Sequence, residues 1–408
     1  MPKPALMFAL FVVVLDSVGF GLLIPVLPSL LEELGNTDIS GASGISLWLS
    51  FSYALMQFLF GPLLGTLSDR FGRKPVLMVS IAALGIDYVV LATAPHLWVL
   101  FVGRLIAGIA GATFSTAFAV AADVSTPEEK GANIGLVSAG FGLGFVLGPA
   151  LGGVIGEAFG PRGPIWAAAG VSALNLIFGL LFFRESLPID ARRRFDMTNA
   201  NPFTALFALR FAGSALLLVL CYFIFNLATN VYQLVWPFFT EARFGWSEQM
   251  TGLSLAAVGV GFIVAQAGVL RPAIKRFGVA GVLIGALVIE VIALAITSVL
   301  SVGWMAFVFI PMMALGSLAT PTLNTLISSR VPKDQQGAIQ GLLSSMLGLS
   351  LIIGPFLYNG SFQWFTRQDA GQYWPGAPFA IAAVLAVLVL LLTLYSTRQD
   401  RQSAHVAD

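Results

Sequence analysis

Long apolar runs separated by short polar stretches recur along almost the whole chain. Twelve of them approach the ~20 residues that a helix needs to cross a ~30 Å hydrocarbon layer. They lie at about 5–28, 44–66, 75–94, 98–121, 132–156, 165–184, 211–238, 249–270, 279–299, 304–327, 338–358 and 376–396. A membrane barrel would instead show alternating strands of ~10 residues. The pattern predicts an all-α integral membrane protein with twelve transmembrane helices. The first run is interrupted by Asp16 and no clear small-residue cleavage site follows it. It therefore reads as a retained first helix rather than a signal peptide.

Basic residues are retained on the cytoplasmic side of a membrane, so their distribution orients the spans. One side of the twelve-span arrangement holds Lys3, Arg70, Arg73, Lys74, Lys130, Arg184, Arg192, Arg193, Arg194, Arg210, Arg271, Lys275, Arg276, Arg330, Lys333, Arg398 and Arg401; the other holds Arg162, Arg243 and Arg367. This split of 17 to 3, with Arg104 inside a span, predicts that both termini and the central linker are cytoplasmic.

A single offset exposes an internal repeat. Residues 130–154 align with residues 336–360 at a shift of 206, with ten identities that include Gly148-Pro149 over Gly354-Pro355. The same shift places Arg70-Phe71-Gly72 over Arg276-Phe277-Gly278, and Trp98 over Trp304. Two pseudo-symmetric six-helix halves follow, 1–184 and 211–408, joined by a linker at 185–210. Parallel repeats of this kind support alternating access about a midplane site. The repeat fails at charged positions, where Lys275 stands for Asp69 and Ile310 for Arg104.

Composition narrows the function. Hydrophobic residues make up 57% of the chain and charged residues 10%, against the ~25% charged of soluble domains. A net charge of +1 argues against nucleic-acid binding. The lone Cys221 lies in an apolar run and reads as packing; no disulfide framework or Cys/His metal site is visible. His96 and His405 both fall outside the spans, and no nucleophile with a base is evident, so an enzyme is not expected.

Four charged residues inside apolar runs carry the functional argument: Asp16, Asp87, Arg104 and Glu290. Each costs several kcal/mol at mid-depth unless it has a partner or water. One arginine cannot neutralise three acids, so the surplus points to a proton site, a cation site or both. The structural alternative for Arg104 is a static pair with one acid. Polar residues recur on shared helix faces: Asn226, Asn230 and Gln233, and separately Tyr53 and Gln57, with Gln266 in the eighth run. Singly they read as interhelical hydrogen bonds; together they suggest a hydrated cavity.

Two local motifs complete the pattern. Gly65 to Lys74, GTLSDRFGRK, places Asp69, Arg70, Arg73 and Lys74 within six positions, with Gly65 and Gly72 permitting a tight reversal between helices. The fifth run carries Gly140, Gly144, Gly148 and Gly152 at four-residue spacing, with Pro149 and Gly153 beside them, a pattern that allows close helix packing.

These motifs carry a resemblance. The Gly65–Lys74 loop is similar to the loop between the second and third helices of the major facilitator superfamily, and GFGLGFVLGPALGG (140–153) resembles the fifth-helix motif of its exporters. With LDSVGFGLLIPVLP (15–28), YALMQF (53–58), GIDYVVLATAP (85–95) and GRLIAGIAGAT (103–113), the chain looks like the tetracycline/proton antiporters of that superfamily. The resemblance implies proton-coupled efflux of tetracycline as a divalent-metal chelate. Asp16, Asp87, Gln266 and Glu290 would serve proton coupling or substrate binding, Arg104 proton coupling, and Asp69 and Arg73 a gating loop. A monomer in a bacterial cytoplasmic membrane is implied, with the bilayer, the drug and protons as its partners. No cofactor is implied beyond magnesium within the cargo. Phe262 stands where Gram-negative members have a histidine. An exporter of another drug or metabolite, or a sugar or organic-acid uptake symporter, are the alternatives.

Overall fold

The computed structural model describes residues 4–407 except 127, 193–194, 196–200, 212, 333–334 and 370. Lys3, Arg193, Arg194 and Lys333, and part of the 185–210 linker, lie outside the described residues. Among the described residues the chain is helical throughout, without strands. Eleven continuous helical stretches are long and apolar enough to span a bilayer. One of them, Glu248–Val299, contains Gly278 at φ 70° and ψ 167°, outside the helical region, and divides there into two.

Twelve spans result. They are α1 (Pro4–Gly35), α2 (Ile39–Phe71), α3 (Arg73–Thr93), α4 (Leu97–Asp123), α5 (Lys130–Phe159), α6 (Gly163–Phe182), α7 (Leu216–Phe244), α8 (248–277), α9 (279–299), α10 (Gly303–Ser329), α11 (Gln336–Thr366) and α12 (Ala377–Ala407). Several run past the apolar stretches that predicted them. α2 extends the 44–66 run at both ends, where the Asp38 side chain caps it by accepting from the Gly41 amide at 2.9 Å. A capped helix needs intrahelical hydrogen bonds there, not apolarity. α7 begins at Leu216 rather than 211, because Pro202–Phe211 forms a 3₁₀ segment. α1 passes through a 3₁₀ turn at Ile24–Val26, where Pro25 lacks the amide that an α-helix requires.

The chain divides into two compact units, Met1–Pro202 with Trp246–Gly259, and Phe203–Gly245 with Val260–Asp408. In the first, α1 lies directly on α5. A Cβ at Gly144 would sit 2.6 Å from the Val14 carbonyl oxygen and one at Gly148 2.7 Å from Gly21 Cα, while one at Gly152 would overlap the Leu22 carbonyl oxygen. No side chain fits between these backbones. The opposite edge of α5 receives the 246–259 segment: a Cβ at Gly153 would overlap the Glu248 carbonyl oxygen, and one at Gly252 the Pro149 carbonyl oxygen. The glycine spacing thus serves two contacts, of which the four-residue pattern announced one.

The second unit packs α7 against α9, α10, α11 and α12 through Leu218, Phe225, Leu283, Leu287, Leu323, Leu342 and Val389. Cys221 is buried in this cluster. The Tyr358 hydroxyl donates to the Leu227 carbonyl at 2.8 Å, fixing α11 to α7.

Polarity runs opposite to that of a water-soluble protein. Trp98, Leu174, Leu181 and Val384 are exposed, whereas Asp16, Asp87, Asn175, Glu290 and Asn359 are buried. An apolar exterior of this extent suits lipid, and polar groups buried in the interior are costly unless partnered.

Replacing Gly148 by valine should force α1 from α5 and lower stability by about 2 kcal/mol or more. Gly170, whose Cβ would meet nothing within 4 Å, should accept alanine without loss or with a gain of up to ~1 kcal/mol, because alanine is the better helix former. Thermal melts of both variants in detergent measure the difference; equal melting temperatures would refute the close-packing account.

Candidate functional site

The turn between α2 and α3 consists of one residue. Helix continues through Gly65, Asp69 and Phe71, and only Gly72 leaves it, at φ 106°. The expected loop opening at Gly65 is therefore corrected: Gly65 is an ordinary helical position and Gly72 alone makes the reversal. A side chain at Gly72 would be strained by that φ, and its Cβ would also overlap the Glu185 carboxylate.

Glu185 occupies that space for an electrostatic reason. Its oxygens accept from the Arg73 amide at 2.9 Å and the Lys74 amide at 3.1 Å, the first two amides of α3, where a helix attracts negative charge. Lys74 reciprocates at the end of α6: its Nζ donates to the carbonyls of Phe183 at 2.7 Å and Leu180 at 3.1 Å. Arg73 is buried and bridges Asp69 on α2 at 2.6 Å, Asp123 at the end of α4 at 2.8 Å, and Ser68 Oγ at 3.2 Å. Arg70 remains exposed, its guanidinium 5.1 Å from the Phe71 ring centroid. The motif is thus a junction that ties together α2, α3, α4 and the segment after α6. Sequence reading missed Asp123 and assigned Glu185 to the linker; an acid placed directly after a span on the basic side was the available signal.

Within the membrane-spanning part of the first unit, Asp16, Tyr53, Asp87 and Arg104 come together. Arg104 Nη2 forms an ion pair with Asp87 Oδ2, α4 to α3, and stands 5.6 Å from the Tyr53 ring centroid. Gly103 makes room for the acid, since a Cβ there would meet Asp87 Oδ1 at 2.5 Å. For Asp87, the static ion pair weighed from the sequence is the arrangement found. Asp16 is buried at 6% exposure, with the Thr113 side chain close enough to interact with it. Among the described residues no basic side chain forms an ion pair with it. Thr113 opens the second segment of α4, after an interruption at Gly111 and Ala112 where Gln57 Nε2 donates to the Gly111 carbonyl at 3.4 Å. The Tyr88 ring packs over Gly19, and its hydroxyl is buried without a hydrogen-bond partner. Thr113 and Tyr88 are further members that the sequence reading did not single out, although Tyr88 adjoins Asp87.

The second unit presents one buried acid, Glu290 on α9 at 1% exposure. Its carboxylate packs on Gly316 of α10, and the Tyr232 hydroxyl of α7 lies close enough to interact with it. Among the described residues no base pairs with Glu290, and Ile310, the repeat counterpart of Arg104, is a buried apolar residue. The predicted α7 face divides in practice. Asn226 Nδ2 donates to the Tyr222 carbonyl of its own helix at 2.7 Å, Asn230 Nδ2 reaches Ser350 Oγ on α11 at 3.2 Å, and Gln233 is exposed. Gln266 is exposed too and lies in a five-residue π-helical turn, Ala265–Val269, a rare geometry that occurs often at functional positions. Phe262 packs against the apolar core of this unit.

Removing one partner of a buried ion pair leaves an uncompensated charge, costing ~3 kcal/mol or more. Arg104→Gln should therefore destabilise strongly, whereas Asp87→Asn with Arg104→Gln should recover most of the loss. Melting temperatures of the singles and the double close this cycle; additive losses would remove the pair.

Comparison with known proteins places this geometry. The family model described as Major Facilitator Superfamily matches residues 9–355 and 218–407. The class C tetracycline resistance protein of Escherichia coli is 38% identical over 93% of this chain and 94% of its own length. The class B protein of Escherichia coli is 36% identical over 86% of each chain. Among solved structures, the nucleoside transporter NupG superimposes with a TM-score of 0.76 at 13% identity, covering 97% of this chain and 99% of its own. The human organic anion transporter MFSD10 gives 0.72 at 22% identity, covering 96% and 100%. The chain belongs to the Major Facilitator Superfamily of membrane transporters and, within it, to the family of the tetracycline resistance proteins.

Proposed function

We propose that the protein exports a small-molecule drug, most simply tetracycline as its divalent-metal chelate, in exchange for protons. The observation that carries this reading is the imbalance of buried charge. Asp87 has Arg104, whereas among the described residues no base forms an ion pair with Asp16 or Glu290, beside which stand the hydroxyl groups of Thr113 and Tyr232. An unpaired carboxylate in a low-dielectric interior is costly as an anion and acceptable once protonated or bound to a cation. Such a group suits alternate occupation by a proton and a cationic chelate. The identity to tetracycline resistance proteins supports the choice of substrate.

In the proposed cycle protons enter from outside onto Asp16 or Glu290, and the chelate displaces them from inside. Magnesium is part of the cargo. The Arg73 junction keeps α2, α3 and α4 moving as one body while the halves alternate. The distribution of basic residues supports cytoplasmic termini in a bacterial inner membrane. Phe262 supports a second reading with the same mechanism and another drug, since an apolar ring packed on the core fills the position where the resemblance to Gram-negative exporters implies a histidine.

Inverted vesicles with an imposed proton gradient separate the two. The first reading requires tetracycline uptake that depends on magnesium and falls at least tenfold in Asp16→Asn or Glu290→Gln. Proton flux provoked by other drugs and not by tetracycline would establish the second. Gradient-independent uptake would overturn both.

A further inference from the structure

The second unit lacks the junction that the first unit builds between its second and third helices. At the repeat shift of 206, Asp69, Asp123 and Glu185 correspond to Lys275, Ser329 and Leu391, so all three acids are gone. The turn itself is retained: Arg276-Phe277-Gly278 matches Arg70-Phe71-Gly72, and Gly278 takes φ 70° where Gly72 takes 106°. Three bases, Arg271, Lys275 and Arg276, crowd the end of α8, all exposed. Among the described residues none of them has a carboxylate partner, and no side chain caps the start of α9 as Glu185 caps α3.

That arrangement is unfavourable by itself. Arg271 and Lys275 are four residues apart on one helical face, where like charges repel, whereas the first unit places Asp69 against Arg73 at this spacing at 2.6 Å. Other bases are anchored: Arg162 donates to the Ala92 carbonyl at 2.9 Å and Arg243 to the Leu300 carbonyl at 2.9 Å. The position along the helix indicates what compensates the cluster. Arg271 follows Glu248 by 23 residues, roughly 35 Å of helix, which exceeds the ~30 Å hydrocarbon core. The bases therefore stand at headgroup depth. Phe277 is 63% exposed beside them, 5.4 Å from the Arg276 guanidinium, as an aromatic anchor at the interface would be.

We infer that Arg271, Lys275 and Arg276 form a binding site for the phosphate of an anionic phospholipid, which supplies the negative charge that Asp69, Asp123 and Glu185 supply in the first unit. Phosphate oxygens bridge the Arg271–Lys275 face, and the acyl chains lie along the apolar exterior of α8 and α9. Retention of cytoplasmic loops accounts for basic residues on this side, but it sets no requirement for two on one helical face with no acid among them.

The test is reconstitution of the full chain into phosphatidylcholine vesicles with trace spin-labelled phosphatidylglycerol or phosphatidylcholine. The protein-associated fraction is read by electron paramagnetic resonance. The wild type should prefer the anionic probe roughly tenfold or more. The preference should survive Arg271→Lys with Lys275→Arg and Arg276→Lys, and collapse when all three become glutamine. Lys275→Asp, which restores the acid of the first unit, should weaken it strongly as a single change. Should the triple variant fail to fold, salt supplies the contrast, because molar sodium chloride must abolish the wild-type preference. Equal association of both probes with the wild type overturns the inference. Loss of the preference in millimolar inorganic phosphate also overturns it, by assigning the site to a soluble anion.

Discussion

A charge in a low-dielectric interior must be paired or neutralised, and this constraint organises the molecule. Asp87 and Arg104 satisfy it together, with Gly103 leaving space for the carboxylate and the Tyr53 ring beside the guanidinium. Asp16 and Glu290 are buried too, but among the described residues no base forms an ion pair with either. What sets Asp87 apart from the other two is therefore the base that stands opposite it, not depth of burial, since all three are buried.

The same constraint acts at the ends of the spans with a different outcome. Around Gly72, acids and bases from four segments neutralise one another and cap two helix ends, so a one-residue turn becomes rigid. Rigidity there matters for a transporter: α3 and α4 carry the buried ion pair, and the junction fixes their ends. The close contact of α1 with α5 does the equivalent for Asp16, holding its helix through backbone rather than through long side chains that could repack.

The broken symmetry of the repeat has a physical reading. Both units place a buried acid on their third helix and a glycine of the fourth against it, Asp87 with Gly103 and Glu290 with Gly316. Among the described residues only the acid of the first unit is paired with an arginine. The acids are not repeat equivalents, since the shift of 206 places Asp87 over Ala293, so the paired acid of the first unit and the acid of the second stand at different positions of their third helices.

One-dimensional regularities carry much of this protein in its sequence. Span number, helical class, the two-fold repeat and the buried charges are all visible because a ~20-residue apolar run has few solutions in a bilayer and a charge inside it stands out. The glycine spacing of α5 was legible as close packing, though not its second partner. Pairings between distant segments came only with the folded chain: Arg104 with Asp87 and not Asp16, Thr113 with Asp16, Tyr232 beside Glu290, and Glu185 returning to cap α3. The polar face of α7 shows why. Asn226, Asn230 and Gln233 share a periodicity, yet one bonds its own helix, one reaches α11 and one is exposed. Periodicity fixes the direction in which a side chain leaves its helix, whereas the partner depends on which neighbour packs there, and that is set by the fold as a whole.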